Sequence, residues 1–194
     1  MERHRILLLA ACHMSFFVTG LVAQEPKPAA KKNLIVNGSF EEGPDPGQFM
    51  WFNEGDKTLP GWTVSRGQIS YIGLHWPAAH GKRSLDMHGG PGFGGIKQTF
   101  ATTKGQRYRV QFALAANPLG TVTEKKLGVE AAGKKGVFVF DSEGKTVTDM
   151  GWSTQVWEFV ATDNQTTIEF YTLMTEDPDC GAALDDISVV ALDP

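Results

Sequence analysis

The chain has 194 residues, 41% of them hydrophobic, with 22 glycines and a net charge of −4 from 18 Lys and Arg against 22 Asp and Glu. That length suits one domain of ordinary size, and the mildly acidic balance argues against nucleic acid as a partner. Two cysteines, one of them in the N-terminal apolar segment, exclude an internal disulfide framework, so a core or a bound ion has to supply the stability.

Glu2-Arg3-His4-Arg5 leads into a largely apolar run from Ile6 to Val22 and then Ala23-Gln24-Glu25-Pro26, the layout of a secretory signal peptide over residues 1–23. Leu9-Ala10-Ala11-Cys12 has the form of a lipidation site at Cys12, but the apolar run continues through Phe16-Phe17-Val18 and Leu21-Val22, which favours ordinary cleavage. The mature chain is then expected outside the cytoplasm, secreted or periplasmic, with no membrane association after cleavage. Residues 24–32, rich in Pro and Lys with no apolar pattern, read as a linker. The domain is expected over 33–191.

From Asn33 onward the apolar period is close to two, and Gly and Pro punctuate it often. The clearest strand is 107–115, with Tyr108, Val110, Phe112 and Leu114 on one face and Arg107, Arg109 and Gln111 on the other. Segment 156–161 groups Trp157, Phe159 and Ala161. Segment 167–173 sets Ile168 and Phe170 against Glu169 and Tyr171. Segment 83–88 sets Leu85 and Met87 against Asp86 and His88. Weaker strands are expected at 34–40, 62–65, 68–74, 95–100, 127–131, 136–140 and 182–191. Asp141-Ser142-Glu143-Gly144 and Thr162-Asp163-Asn164-Gln165 read as hairpin turns. Many short strands of this kind imply an all-β, antiparallel sandwich or barrel.

Three segments carry a further pattern: Asn33-Leu34-Ile35-Val36-Asn37-Gly38-Ser39-Phe40-Glu41-Glu42-Gly43, Leu59-Pro60-Gly61-Trp62, and Gly181-Ala182-Ala183-Leu184-Asp185-Asp186-Ile187-Ser188-Val189. Between them stand, in order, Tyr71-Ile72-Gly73, Trp76 to Met87, and Gly95 to Phe100. The set resembles the galactose-binding-like jelly rolls that include many carbohydrate-binding modules. In full order it looks like the choice-of-anchor C family, related to a plant cell-wall protein family long described as a domain of unknown function. The resemblance implies a β-sandwich that binds wall polysaccharide. It also implies a structural Ca²⁺ held by Glu41 and Asp185, with backbone oxygens of Ser39 and of the turn near Lys82 completing the shell, and with Asp186 as an alternative to Asp185. Members often carry a C-terminal anchoring segment. None follows Leu192-Asp193-Pro194 here, so release is expected.

Sugars present flat C–H faces that stack on aromatic rings, and polar side chains fix their hydroxyls. Trp76, beside His75, with Tyr71 upstream and Arg83 and Asp86 downstream, is the first candidate ligand cluster; core packing is the competing role for Trp76. Trp51 stands in an expected loop, 48–53, whose apolar cluster would form a contact surface if exposed. Arg109, in the row with Arg107 and Gln111, is a second candidate, able to pair with uronate carboxylates of an acidic polymer. A plain solvated sheet face is the competing reading there. The chain contains no Gly-x-Ser-x-Gly elbow and no His-Glu-x-x-His helix, so a non-catalytic module is expected ahead of a glycan hydrolase. An adaptor that docks a wall-associated protein is the alternative.

Overall fold

The computed structural model describes residues 31–90, 93–176 and 179–193. The expected signal peptide, Cys12 and the expected linker up to residue 30 lie outside these residues. Among the described residues the regular structure is entirely extended: β1 (Phe49–Asn53), β2 (Thr63–Arg66), β3 (Gln68–Ile72), β4 (Ser84–Asp86), β5 (Gly95–Ala101), β6 (Arg107–Ala116), β7 (Glu124–Ala131), β8 (Lys134–Asp141), β9 (Ser153–Val160), β10 (Gln165–Thr172) and β11 (Ala182–Ala191). They build two sheets, one in the order β1-β3-β4-β11-β6-β9 and the other β2-β5-β10-β7-β8. Every ladder is antiparallel, which makes the domain the expected sandwich.

Alternation along each strand decides what fills the space between the sheets. Val110, Phe112 and Leu114 of β6 point inward, as do Leu85, Ile69 and Leu184 from the same sheet and Val129, Ile168 and Phe170 from the other, all essentially buried. The Phe112 ring meets Phe138 edge-on at 5.0 Å and Phe170 at 5.2 Å, so one aromatic contact set spans both sheets. Truncating such a side chain to Ala costs about 3–5 kcal/mol.

Segment 34–40 is a correction: it forms no strand. Asn37 and Phe40 hold positive φ of 51° and 58°, which breaks any extended run. The segment still lies beside β11, because Leu34 N–H donates to Val189 O and Ile187 N–H donates to Gly38 O, each at 2.9 Å. A Cβ on Gly38 would stand 1.9 Å from the Ile187 carbonyl oxygen, so only glycine permits this approach. β11 itself shifts register between Asp185 and Ser188, with Asp186 at φ 47°. That bulge separates the two neighbouring acids: Asp185 is buried and Asp186 exposed.

Two further differences concern connections. The turn at 141–144 opens a longer crossing from β8 in one sheet to β9 in the other, and the turn at 162–165 lies on the return crossing to β10. Neither closes a hairpin. A tight hairpin joins β7 to β8 instead, through Ala132 and Gly133 at φ 50° and 77°.

Candidate functional site

On the outer face of the six-stranded sheet, three strands bring one row of side chains together. Trp51 of β1 pairs with Ser70 of β3, and Ser70 with Asp86 of β4; one step along, Phe49 pairs with Ile72. Alternation turns all five away from the core. They line a cavity of about 280 Å³. Its near wall is His75 and Trp76. Its far end is closed by Asn117 and Leu119 after β6 and by Asp179 and Cys180 before β11. β1 is an edge strand, so its aromatics stand open to solvent: Trp51 is 55% exposed and Phe49 43%. Phe49 contacts Trp51 at 5.9 Å and meets the His75 ring edge-on at 5.7 Å.

Asp86 forms the polar floor. Its Oδ1 accepts from the backbone N–H groups of Gly181 (2.9 Å) and His88 (3.0 Å), and its Oδ2 accepts from Asn117 Nδ2 (2.9 Å). A Cβ on Gly181 would lie 2.7 Å from Asp86 Oδ1, so glycine is required for this approach. Asn117 Nδ2 also donates to Asp179 O, and Asn117 Oδ1 accepts from Leu119 N–H, which fixes the end wall to the floor. Burial pushes the Asp86 carboxyl up to about 7, against the opposing pull of these three donors and of the Lys125 charge. The cavity therefore combines aromatic walls with a pre-oriented carboxyl and amide.

The near wall belongs to the long loop 73–83 between β3 and β4, which lies across the outer face and is pinned at several points. Trp76 Nε1 donates to Ser84 Oγ and Trp152 Nε1 donates to Pro77 O, both at 2.9 Å. His80 N–H donates to Asp185 Oδ2, and the Lys82 and Arg83 N–H groups both donate to Glu41 Oε1, all at 2.8 Å. Gly81, at φ 69°, leaves room for the Glu41 carboxylate, which a Cβ would meet at 2.4 Å. Burial beneath the loop raises Asp185 to about 7, against hydrogen bonds from His80 and Asp186. Glu41 and Asp185 thus converge on one loop from opposite ends of the domain. Backbone N–H groups meet them there, Lys82 among them through its N–H. Ser39 precedes Glu41 in the same N-terminal turn. Among the described residues no group of three or more His, Cys, Asp or Glu side chains gathers as a metal site.

Of the candidate ligand residues, the structure brings His75, Trp76 and Asp86 together in the cavity. Trp76 is itself 3% exposed and serves as the loop's anchor as well as wall. Tyr71 is a correction: it points into the core, fully buried, and its hydroxyl donates to Phe40 O at 2.7 Å. Strand alternation sends it to the face opposite Ser70 and Ile72. Arg83 lies on the other side of the loop, its guanidinium 3.2 Å from Asp45 Oδ1. Arg109, expected on a second surface, lies apart from this cavity: eight residues before Asn117 along the chain, it stands about 26 Å away at ~3.3 Å per residue. There it and Arg107 pair with Glu158, holding that carboxyl below its usual range. Sequence reasoning missed Phe49, Asn117 and Asp179 as neighbours of Asp86; Trp51 carried a signal through its apolar segment.

A model of the family described as "Protein of unknown function (DUF642)" matches residues 33–190. The chain belongs to the DUF642 family. This DUF642 chain is 30% identical over 185 residues to the Arabidopsis thaliana protein DUF642 L-galactono-1,4-lactone-responsive gene 2, covering 86% of the chain and 48% of the relative. It is 28% identical over 184 residues to halomucin of Haloquadratum walsbyi, covering 90% of the chain and 2% of that protein. The chain spans about half the length of the plant relative. Among solved structures, the DUF642 fold is similar to TmCBM61 in complex with β-1,4-galactotriose, with a TM-score of 0.51 at 14% identity, over 83% of this chain and 99% of that one. It is also similar to the CBM22-1–CBM22-2 tandem domain of Paenibacillus barcinonensis Xyn10C, with a TM-score of 0.50 at 16% identity, over 87% of this chain and 48% of that one. These likenesses show the jelly-roll sandwich.

Proposed function

We propose that this DUF642 domain is an exported, non-catalytic module that binds polysaccharide of a cell wall or matrix through the cavity floored by Asp86. The observation that carries this reading is the meeting of exposed Trp51 and Phe49 with a buried, hydrogen-bonded carboxyl in one cleft. Aromatic faces suit the C–H faces of sugar rings, and Asp86 Oδ2 and Asn117 Oδ1, with one protein donor each, keep acceptor capacity for a sugar hydroxyl. The cavity lies near the lower end of the ~300–1,000 Å³ range of small-molecule sites, which fits one or two sugar units of a longer chain. The N-terminal pattern at residues 1–23 supports export, and the likeness to sandwiches named for carbohydrate binding supports the ligand class.

A hydrolase would use two carboxyl groups about 5–9.5 Å apart across the scissile bond. Asp86 has both oxygens engaged by Gly181, His88 and Asn117, an arrangement suited to holding a shape. Glu41 and Asp185 supply hard oxygen donors from two distant segments, a donor type that fits calcium. They are the carboxylates that would hold a structural ion and tie the N-terminal turn to the last strand.

A glycan array with the wild-type chain and the Phe49→Ala/Trp51→Ala double variant tests the reading. Binding of a polysaccharide by the wild type that the double variant loses supports it. Equal binding by both, or release of reducing ends from the bound polymer, overturns it.

A further inference from the structure

Loop 73–83 has a cavity on each of its sides, and His75 and Trp76 line both. The two cavities differ in charge. Asp86 and Asp179 line the first, with no Lys or Arg among its lining residues. The second, about 410 Å³, is lined by Lys82 and Arg83 with no Asp or Glu among its lining residues. Its apolar surface comes from Leu74, Pro77 and Val147, with Thr148 at the rim. His75 and Trp76 separate the two, and Leu74, on the side of the second cavity, is 76% exposed.

We propose that the second cavity is a further subsite of the same groove, taking a carboxylate-bearing sugar unit of a chain whose neighbouring unit sits over Asp86. The proposal rests on the reading of the first cavity as a glycan site.

The cations are placed for this. Lys82 is exposed, and the N–H bond to Glu41 fixes its backbone beside the cavity it lines. Arg83 is largely covered, and Asp45 holds one edge of its guanidinium, which presents a fixed planar donor group. Two acids contact the residues that line this cavity, Glu41 and Asp45. Glu41 is occupied by the loop N–H groups and Asp45 by Arg83. A uronate carboxylate would meet an open cation in Lys82, and the ring's C–H face would lie on Leu74, Pro77 and Val147. A carboxylate in the first cavity would meet Asp179 and find no Lys or Arg among the lining residues, so the order of units along the chain is set by where the cations stand.

The test uses a matched pair of polymers, a glucuronate-bearing arabinogalactan and the same preparation after chemical reduction of its carboxyl groups. Affinity is measured for the full chain, Lys82→Glu and Trp51→Ala. The wild type should prefer the acidic polymer by about tenfold, the scale of one added charge-assisted contact, and high salt should shrink that preference. Lys82→Met, which keeps the aliphatic stem without the charge, should erase the preference, and Lys82→Glu should erase or reverse it. A wild type that binds both polymers equally in a Trp51-dependent way overturns the second subsite and leaves the first standing. A preference that survives Lys82→Glu also overturns it. If neither polymer binds the wild type while the array yields a neutral glycan that Trp51→Ala loses, the second subsite falls and the first stands.

Discussion

Trp51→Ala isolates the stacking surface from the fold. The side chain is 55% exposed on an edge strand, so its removal opens no cavity between the sheets. A tryptophan presents about 240 Å² in all, which leaves about 130 Å² of Trp51 open to solvent. A sugar ring lying on one face covers about half of that. At ~25 cal/mol per Å² the contact contributes about 1.6 kcal/mol, or about 15-fold in Kd. Calorimetric titration with the strongest ligand from the array should show that loss, while thermal unfolding should place the variant within about 1 kcal/mol of wild type. Trp76→Ala should behave differently, because Trp76 is 3% exposed and anchors its loop on Ser84; there the loss is in stability as well as affinity. An unchanged Kd in Trp51→Ala, with the fold intact, would refute the placement of the ligand over β1.

Asp86 makes stability depend on pH. Its carboxyl is raised to about 7 in the folded chain against about 3.9 unfolded, so its contribution is full below about pH 4 and is lost as pH rises through 7. Denaturant titrations at acidic and mildly alkaline pH should differ by on the order of 4 kcal/mol from this group, and Asp86→Asn should make the slope shallower, leaving the part due to Asp185; a slope unchanged in the variant contradicts the assignment. Gly38→Ala drives a Cβ to 1.9 Å from Ile187 O and should abolish or severely weaken folding. Gly105→Ala, at φ 83° with nothing near, should cost only about 1–2 kcal/mol in the same unfolding assay. If calcium sits on Glu41 and Asp185, saturating ion should stabilise the chain by about 2.7 kcal/mol at a hundredfold excess over Kd. That is about 5–10 °C in Tm, lost with a chelator or in Glu41→Gln. A Tm indifferent to the ion removes calcium from the site.

Strands whose alternation is clean were legible from the residues alone. In β6 every inward and outward assignment follows from Tyr108-Arg109-Val110-Gln111-Phe112, and the same holds for β10. The segment 34–40 opens on the β-prone run Leu34-Ile35-Val36, but the positive φ at Asn37 and Phe40 goes with the fit of Gly38 against β11, which no local pattern encodes. β1 was hidden for the opposite reason. Phe49-Met50-Trp51-Phe52 is apolar throughout, and only its pairing with β3 shows that Phe52 faces in while Phe49 and Trp51 face out. Within the candidate site, Asp86 and the 75–76 pair were readable because they share one stretch of chain. Asn117 and Gly181 reach Asp86 across separations of 31 and 95 residues, which only the sheet order creates. Tyr71 shows the reverse error: nearness in sequence to Trp76 suggested a shared surface, and strand alternation put the two on opposite sides of the sheet.

The β3–β4 loop is fastened from outside itself, by Glu41, Asp185, Ser84 and Trp152, while the strands it joins are held in the sheet by their own ladders. Its crest residues can therefore be exchanged, or loops of equal length grafted between the same fastening points, with the scaffold left in register. Such a chain would be a convenient chassis for recognisers of differing preference, each altered in eleven positions or fewer.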